Sequence, residues 1–468
     1  MTTTLIQGGT VVTSTGRCAA DVFAVDGRIG EIATSIARPA DHVVDARGQY
    51  VIPGGVDPHA HVKITFGGVP SADDFTSATI AAAFGGTTTI IDFAFQEHGQ
   101  SLASTLDDWH AALAASPPVT DVGVHLMISD LTDPAWIDEL RAAPATGVSS
   151  FKLFMAYRGS FMVGDPAMWD TMRVAAETGA LVMVHAENGD AIDALIHEAV
   201  AADTLTPPFH ASTRPRSTEA EAVNRALMFA ELTGARTFIV HVSCADAVAP
   251  IVAAKARGME VWGETCPQYL LFDESIYEQP LDQALRGIFS PPARSVADQD
   301  ALWTALAGVG LDVISTDHSA FNLALRHERY ASGGGFTAVP NGGPGLEERL
   351  SLMFDVGVRG GRISLEQWVD LCCTTPARLF GLGGRKGAVA VGADADLVVW
   401  DPERERTLGV ESAKSKVDYS MHEGRVVTGA PSTVIVDGVP LIADGELLDQ
   451  PERGFLRRAA SVEATAGV

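Results

Sequence analysis

The sequence predicts an α/β protein: a (β/α)8 TIM-like barrel with a smaller composite β-sandwich assembled from both termini. Three observations predict it. Through the middle of the 468 residues, short apolar β-rich runs alternate with Ala-rich segments at helical spacing. Both ends instead alternate apolar and polar positions, punctuated by Gly turns. The alternative of an open, doubly wound sheet lacks its Gly-rich phosphate loop after the first run.

Taken in order, the chain begins with TLIQGGTVV, then DVFAVDGRI with an Asp26-Gly27 hairpin signal, then HVVDARGQYVIPG. Eight candidate barrel strands follow: YVIPGGVD, TTTIIDFA, VGVHLMIS, SSFKLFMA, LVMVHAE, TFIVHVS, MEVWGETC and LDVISTD. Helices are predicted between them at DDFTSATIAAAF, MWDTMRVAAETG and STEAEAVNRALMFAELTG. The last of these offers Thr218 and Glu221 as a capping box, puts Val223, Leu227 and Ala230 on one face, and stops at Gly234. The strand texture returns in GAVAVGADADLVVW and GRVVTGAPSTVIVDGVPLIADGEL. The predicted division is therefore 1–52 with 388–448 as the sandwich, 53–387 as the barrel, and 449–468 as a tail. Two separate β-subdomains at the two ends are the alternative. In the tail, RGFLRR reads as a docking segment on a neighbouring subunit, unless the tail is disordered.

Composition narrows the function class. With 33 Lys+Arg against 59 Asp+Glu the formal charge is −26, and no Lys/Arg-dense run supplies the basic face that nucleic acid requires. No window of about 18 apolar residues predicts a membrane span, and the start carries no signal-peptide pattern. The five cysteines, Cys18, Cys244, Cys266, Cys372 and Cys373, show no C-x-x-C spacing. That argues against a disulfide framework or a thiolate zinc site, and Cys372-Cys373 reads as a buried helix pair. A cytoplasmic enzyme is the expectation.

In such a barrel, active residues project from the C-terminal ends of strands. The first run ends in Asp57-Pro58-His59-Ala60-His61, and two histidines at i, i+2 share a face from which both imidazoles reach one cation. The fourth carries a single Lys152 in an apolar run, where burial favours the neutral amine, which can add CO2 to form a carbamate able to bridge two metals. A snorkelling lysine is the bland alternative. His185, His241 and Asp317 end the fifth, sixth and eighth runs. Each alone reads as ordinary core, but six such residues at one edge of the barrel point to a two-metal site. His125, inside the third run, reads as core packing.

At these residues the chain resembles the dihydropyrimidinase and D-hydantoinase family of cyclic amidohydrolases. The resemblance runs from about Val51 to Gly387, on GGVDPHAH, GGTTTIIDFA, FKLFMAYRG, HAENGD, HVSCADA, ETCPQYL, SPPAR, STDHSAF and PNGGPGLEERL. It implies that His59, His61 and Asp317 bind a first divalent metal and that His185 and His241 bind a second. It further implies that carboxylated Lys152 bridges the two. Zn2+ is the first expectation, with Mn2+ and Co2+ as alternatives. Tyr157 would hold the oxyanion, Ser290 and Asn341 would hold the cyclic imide through backbone groups, and Asp317 would carry the water proton to the departing ring nitrogen. The implied reaction opens a dihydropyrimidine or 5-substituted hydantoin to an N-carbamoyl amino acid, in a homotetramer or, alternatively, a homodimer.

One departure stands out. Lys63 occupies the position where these relatives commonly carry an acidic or amide residue and where dihydroorotases carry arginine. It is therefore read either as a contact to an anionic substrate tail or as a solvated loop residue. Ile64, Phe66, Leu153, Phe161 and Met162 are expected to cover the exocyclic ring substituent, with core packing as the alternative for Leu153. Allantoinase-like or dihydroorotase-like hydrolysis is the nearest competing activity. A non-catalytic interaction protein is the competing class, against which all six ligands are present.

Overall fold

The eight apolar runs become eight parallel strands of one sheet in the computed structural model, which describes residues 2–449 and 452–460. Barrel strands one to eight are Gly55–Asp57, Thr87–Phe95, Asp121–Ile128, Ser150–Phe154, Leu181–His185, Thr237–Ile239, Val261–Thr265 and Val313–Ile314. Each pairs with the next, while strands one and eight do not form a ladder with each other. The seam closes above them, where Ala60–His61 pairs in parallel with His318–Ser319. Lower down, the buried Arg349 spans it, donating to Val56 O at 3.0 Å and Ile314 O at 2.8 Å.

The run YVIPGGVD is divided, not one strand. Tyr50–Pro53 belongs to the terminal sheet and Gly55–Asp57 to the barrel. Gly54 makes the crossing, and a Cβ there would stand 2.0 Å from Thr88 Oγ1.

Side-chain alternation then decides what enters the lumen. Ile91 and Phe93, Leu181 and Met183, Phe238 and Val240 pack inside with Val313, and Leu379 and Phe380 close the floor. Their neighbours Ile90, Val182, Val184 and Ile239 face the helices. His125 lies in the lumen between these layers, its ring nitrogens 2.5 Å from Ser150 Oγ and 2.8 Å from Pro58 O, a packed core residue as expected. The third predicted helix forms as Arg216–Thr233 and ends at Gly234 with φ 74°. The capping box does not form: the helix starts two residues before Thr218, whose hydroxyl donates back to Pro215 O at 2.8 Å, and Glu221 instead accepts from Asn188.

Both ends of the chain meet in a nine-stranded sheet. The junction is antiparallel pairing of Leu397–Thr407 with Tyr50–Pro53, in register Leu397↔Pro53 to Trp400↔Tyr50. The sheet encloses its own apolar cluster, including Ile6, Val22, Val51, Leu397 and Ile435. The Asp26-Gly27 signal is realised as the turn joining Gly16–Val25 to Arg28–Ala33, with φ 45° and 77°.

The RGFLRR segment docks on its own chain's barrel. Leu456 N donates to Val122 O at 2.8 Å, Arg458 N to Gly147 O at 3.0 Å, and Arg453 pairs with Asp121 at 2.7 Å. These contacts lie at the strand N-termini, opposite the face that gathers the histidines. Tail residues 450, 451 and 461–468 lie outside the described residues. Among the described residues no helix is long and apolar enough to cross a membrane, and all five cysteines are free.

Candidate metal centre and active site

The alternation that fills the lumen also aims the polar residues. Ser150, Lys152 and Phe154 share the inward face of strand four, and Leu181, Met183 and His185 that of strand five. Leu153 therefore faces the helices, in the main core, and is not part of a lid. His241 breaks the rule. Parity with inward Phe238 and Val240 would turn it out, but its backbone is left-handed at φ 39° and returns the imidazole to the pocket. Asp317 at φ 52° and Tyr157 at φ 68° are left-handed too. Such conformations are costly for non-glycine residues and concentrate where side-chain direction matters.

His59, His61 and Asp317 converge with ligand atoms within 4.8 Å of one another. Asp317 Oδ1 lies 3.2 Å from His59 Nε2 and 3.1 Å from His61 Nε2. Lys152 Nζ is 3.3 Å from His59 Nε2. On the other side the His185 and His241 rings meet edge-on at 4.5 Å, and His241 stacks on His59 at 5.5 Å. His59, His61, Lys152, His185, His241 and Asp317 thus line one cavity together with Tyr157, Ser290 and Asn341.

Burial sets the charge states. It depresses all four histidines below their ordinary value, which keeps the imidazoles neutral with lone pairs to donate. It also brings Lys152 down to about 8 against the opposing pull of Asp317 and Glu264. Burial alone would raise Asp317, but His59 and His61 hold its carboxyl below the usual range. Two buried ring nitrogens, His61 Nδ1 and His241 Nδ1, have no hydrogen-bond partner. Neutral imidazoles with orphaned nitrogens, one carboxylate and a depressed lysine are a donor set that suits divalent cations.

Two carboxylates missed from the sequence orient these donors. Glu264 Oε1 lies 2.7 Å from His59 Nδ1 and accepts from His241 N at 3.0 Å. Glu187 Oε2 lies 2.8 Å from His185 Nε2. Both carried a readable signal: Glu187 repeats the i, i+2 spacing of the histidine pair, and Glu264 interrupts an apolar run at the same barrel edge.

Tyr157 OH accepts from Asn341 Nδ2 at 3.2 Å, and burial raises its pKa. Ser290 Oγ donates to Glu187 at 2.7 Å. The cavity wall is aromatic, with Phe66, Phe95, Phe154, Phe161 and Phe321 joined by Ile64. Met162 lies behind it, its sulfur against Gly189. Lys63 is not brought in. Its backbone is left-handed at φ 51°, and its exposed side chain lines a neighbouring depression with Glu97, His98 and Asp108. Of its two readings, this placement matches the solvated loop residue.

The fold and the site define a (β/α)8 protein with a donor set that suits divalent cations. Comparison with known proteins specifies the family. The Amidohydrolase family profile matches residues 50–441. The chain is 44% identical over 458 residues to the D-hydantoinase of Geobacillus stearothermophilus, covering 98% of this chain and 97% of that one. It is 43% identical to the D-hydantoinase of Ralstonia pickettii, covering 97% and 98%. The crystal structure of dihydropyrimidinase from Brevibacillus agri superposes with a TM-score of 0.95 at 40% identity, covering 98% of this chain and 100% of that one. The chain belongs to the amidohydrolase family, on its hydantoinase and dihydropyrimidinase branch.

Proposed function

We propose that the protein hydrolyses the cyclic amide of 5-substituted hydantoins or dihydropyrimidines, adding one water across a ring C–N bond to give an N-carbamoyl amino acid. The observation that carries this reading is the convergence of four neutral histidines, Lys152 and Asp317 beneath Tyr157 in one cavity. His59, His61 and Asp317 would hold one divalent cation and His185 and His241 a second, with Lys152 as its carbamate between them. Zn2+ is the expected ion, with Mn2+ or Co2+ as alternatives. When bound, such a pair lowers the pKa of water and polarises a carbonyl.

The chain's own residues supply the rest. Tyr157, kept protonated by its raised pKa, donates to the oxygen that gains charge on attack. Asp317 accepts the proton from the attacking water and returns it to the departing ring nitrogen, so that the amine leaves neutral. With its hydroxyl committed to Glu187, Ser290 offers backbone groups, and these with those of Asn341 suit the donor–acceptor edge of a cyclic imide. The aromatic wall excludes water and accommodates an apolar ring substituent. Because Lys63 lies outside the cavity, the reading that needs a cation for an anionic ring substituent, as in dihydroorotase, loses its main support.

We further propose a homotetrameric assembly, or alternatively a homodimer, and a cytoplasmic location, the latter supported by five free cysteines. The working domain division stays at 1–52 with 388–448 and 53–387. Lys152→Ala tests the site: turnover of 5-phenylhydantoin should fall by at least about 10³-fold with loss of bound metal, given the several kcal/mol such a centre supplies. Full activity with unchanged metal content would refute the assignment.

A further inference from the structure

Glu187 ends the turn after barrel strand five, fully buried. A single oxygen, Oε2, serves three donors from three parts of the pocket: His185 Nε2 at 2.8 Å, Arg214 Nη1 at 2.9 Å and Ser290 Oγ at 2.7 Å. Its other oxygen, Oε1, is buried without a hydrogen-bond partner. The Arg214 guanidinium in turn lies 5.5 Å from the centroid of the Tyr157 ring. A carboxylate present to neutralise an arginine pairs with it best through both oxygens. This one shares a single oxygen among a histidine, a serine and an arginine, which serves placement better than charge pairing.

We infer that Glu187 is a positioning residue that locks the second-metal histidine to the substrate-holding wall. Because His185 donates through Nε2, its lone pair resides on Nδ1, so Glu187 selects the nitrogen offered to a cation. The same oxygen fixes the Ser290 turn and holds Arg214 beneath Tyr157. Metal affinity and substrate placement thus share one carboxylate. The inference rests on the two-metal reading of the site proposed above.

Glu187→Gln is the informative variant. An amide oxygen can keep all three bonds while the NH2 takes the partnerless Oε1 place, so shape is retained and the negative charge is lost. Metal-free protein is titrated with Zn2+ against a chromophoric chelator. Wild type should show two classes of site, and Glu187→Gln should weaken one of them about 10–100-fold while sparing the other. At saturating Zn2+ the variant should also show a raised KM for 5-phenylhydantoin, because a neutral amide oxygen holds the Ser290 hydroxyl more weakly than the carboxylate does. Two sites of wild-type affinity in the variant, or equal weakening of both, would overturn the inference alone. A wild-type protein that binds no second Zn2+ would overturn the two-metal reading and this inference with it. Should Glu187→Gln not fold, the His185 15N shifts of the Zn2+-loaded wild type decide: coordination at Nδ1 with the proton on Nε2 supports the inference, and the reverse tautomer overturns it.

Discussion

Lys152 shows how burial becomes chemistry at the scale of a single residue. An ammonium at the centre of the barrel is poorly solvated, and its pKa falls to about 8. Carbamate formation consumes the neutral amine, which makes up about one-tenth of the population at pH 7 and about nine-tenths at pH 9 for such a pKa. The sign follows from the direction of the shift: a depressed lysine pKa enriches the reactive form as pH rises through 8. Reconstitution of metal-free protein at constant dissolved CO2 should therefore accelerate by roughly an order of magnitude between pH 7 and 9, followed by the return of activity. A rate that is flat over this range would contradict the role given to Lys152. The six site residues were legible because each interrupts or ends an apolar run, where a charged or polar side chain needs a reason. Glu187 and Glu264 were not singled out because their role depends on which ring nitrogen they meet, and spacing along the chain does not specify that. Motif position left Lys63 open between a substrate contact and a solvated loop residue, because it does not reveal the left-handed backbone that places the side chain outside the cavity.

At the scale of elements, the short apolar runs set between helical segments were sufficient to identify all eight barrel strands, because each buries both faces against lumen and helices and so reads as continuously apolar. The boundary of the first was not legible. YVIPGGVD is uniformly apolar because both the terminal sheet and the barrel bury it, and the crossing at Gly54 leaves no change in hydropathy. Arg349 at the seam and Arg458 at the floor were equally hidden, since their partners are backbone carbonyls, Val56 O and Ile314 O for one and Val124 O and Phe380 O for the other. The RGFLRR segment, read either as disordered or as docking on a neighbouring subunit, packs on its own barrel. Leu456 packs there with Val56, Ala377 and Leu382. Leu456→Ala should cost about 2–5 kcal/mol of stability, measured by urea unfolding, while the kcat of the folded protein stays within twofold. A loss of kcat without loss of stability would mean that the floor controls the chemistry above it.

For the molecule as a whole, the division of labour follows the barrel axis: a packed floor, a layer with His125 and Ser150, the ligand layer, and an aromatic mouth. The chain carries a formal charge of −26, yet the cavity presents neutral imidazoles and one depressed lysine, so that a bound cation would be held by the donor set and not by bulk charge. Under the proposed function, the apolar wall should favour a neutral ring with an apolar substituent over a carboxylated one. The most direct test is turnover of 5-phenylhydantoin in H2 18O by the protein reconstituted with Zn2+ and CO2, read by mass spectrometry. The account predicts N-carbamoyl-phenylglycine with one 18O in its carboxylate, and much slower turnover of dihydroorotate. A protein loaded with two metals that opens none of hydantoin, 5-phenylhydantoin or dihydrouracil would contradict it.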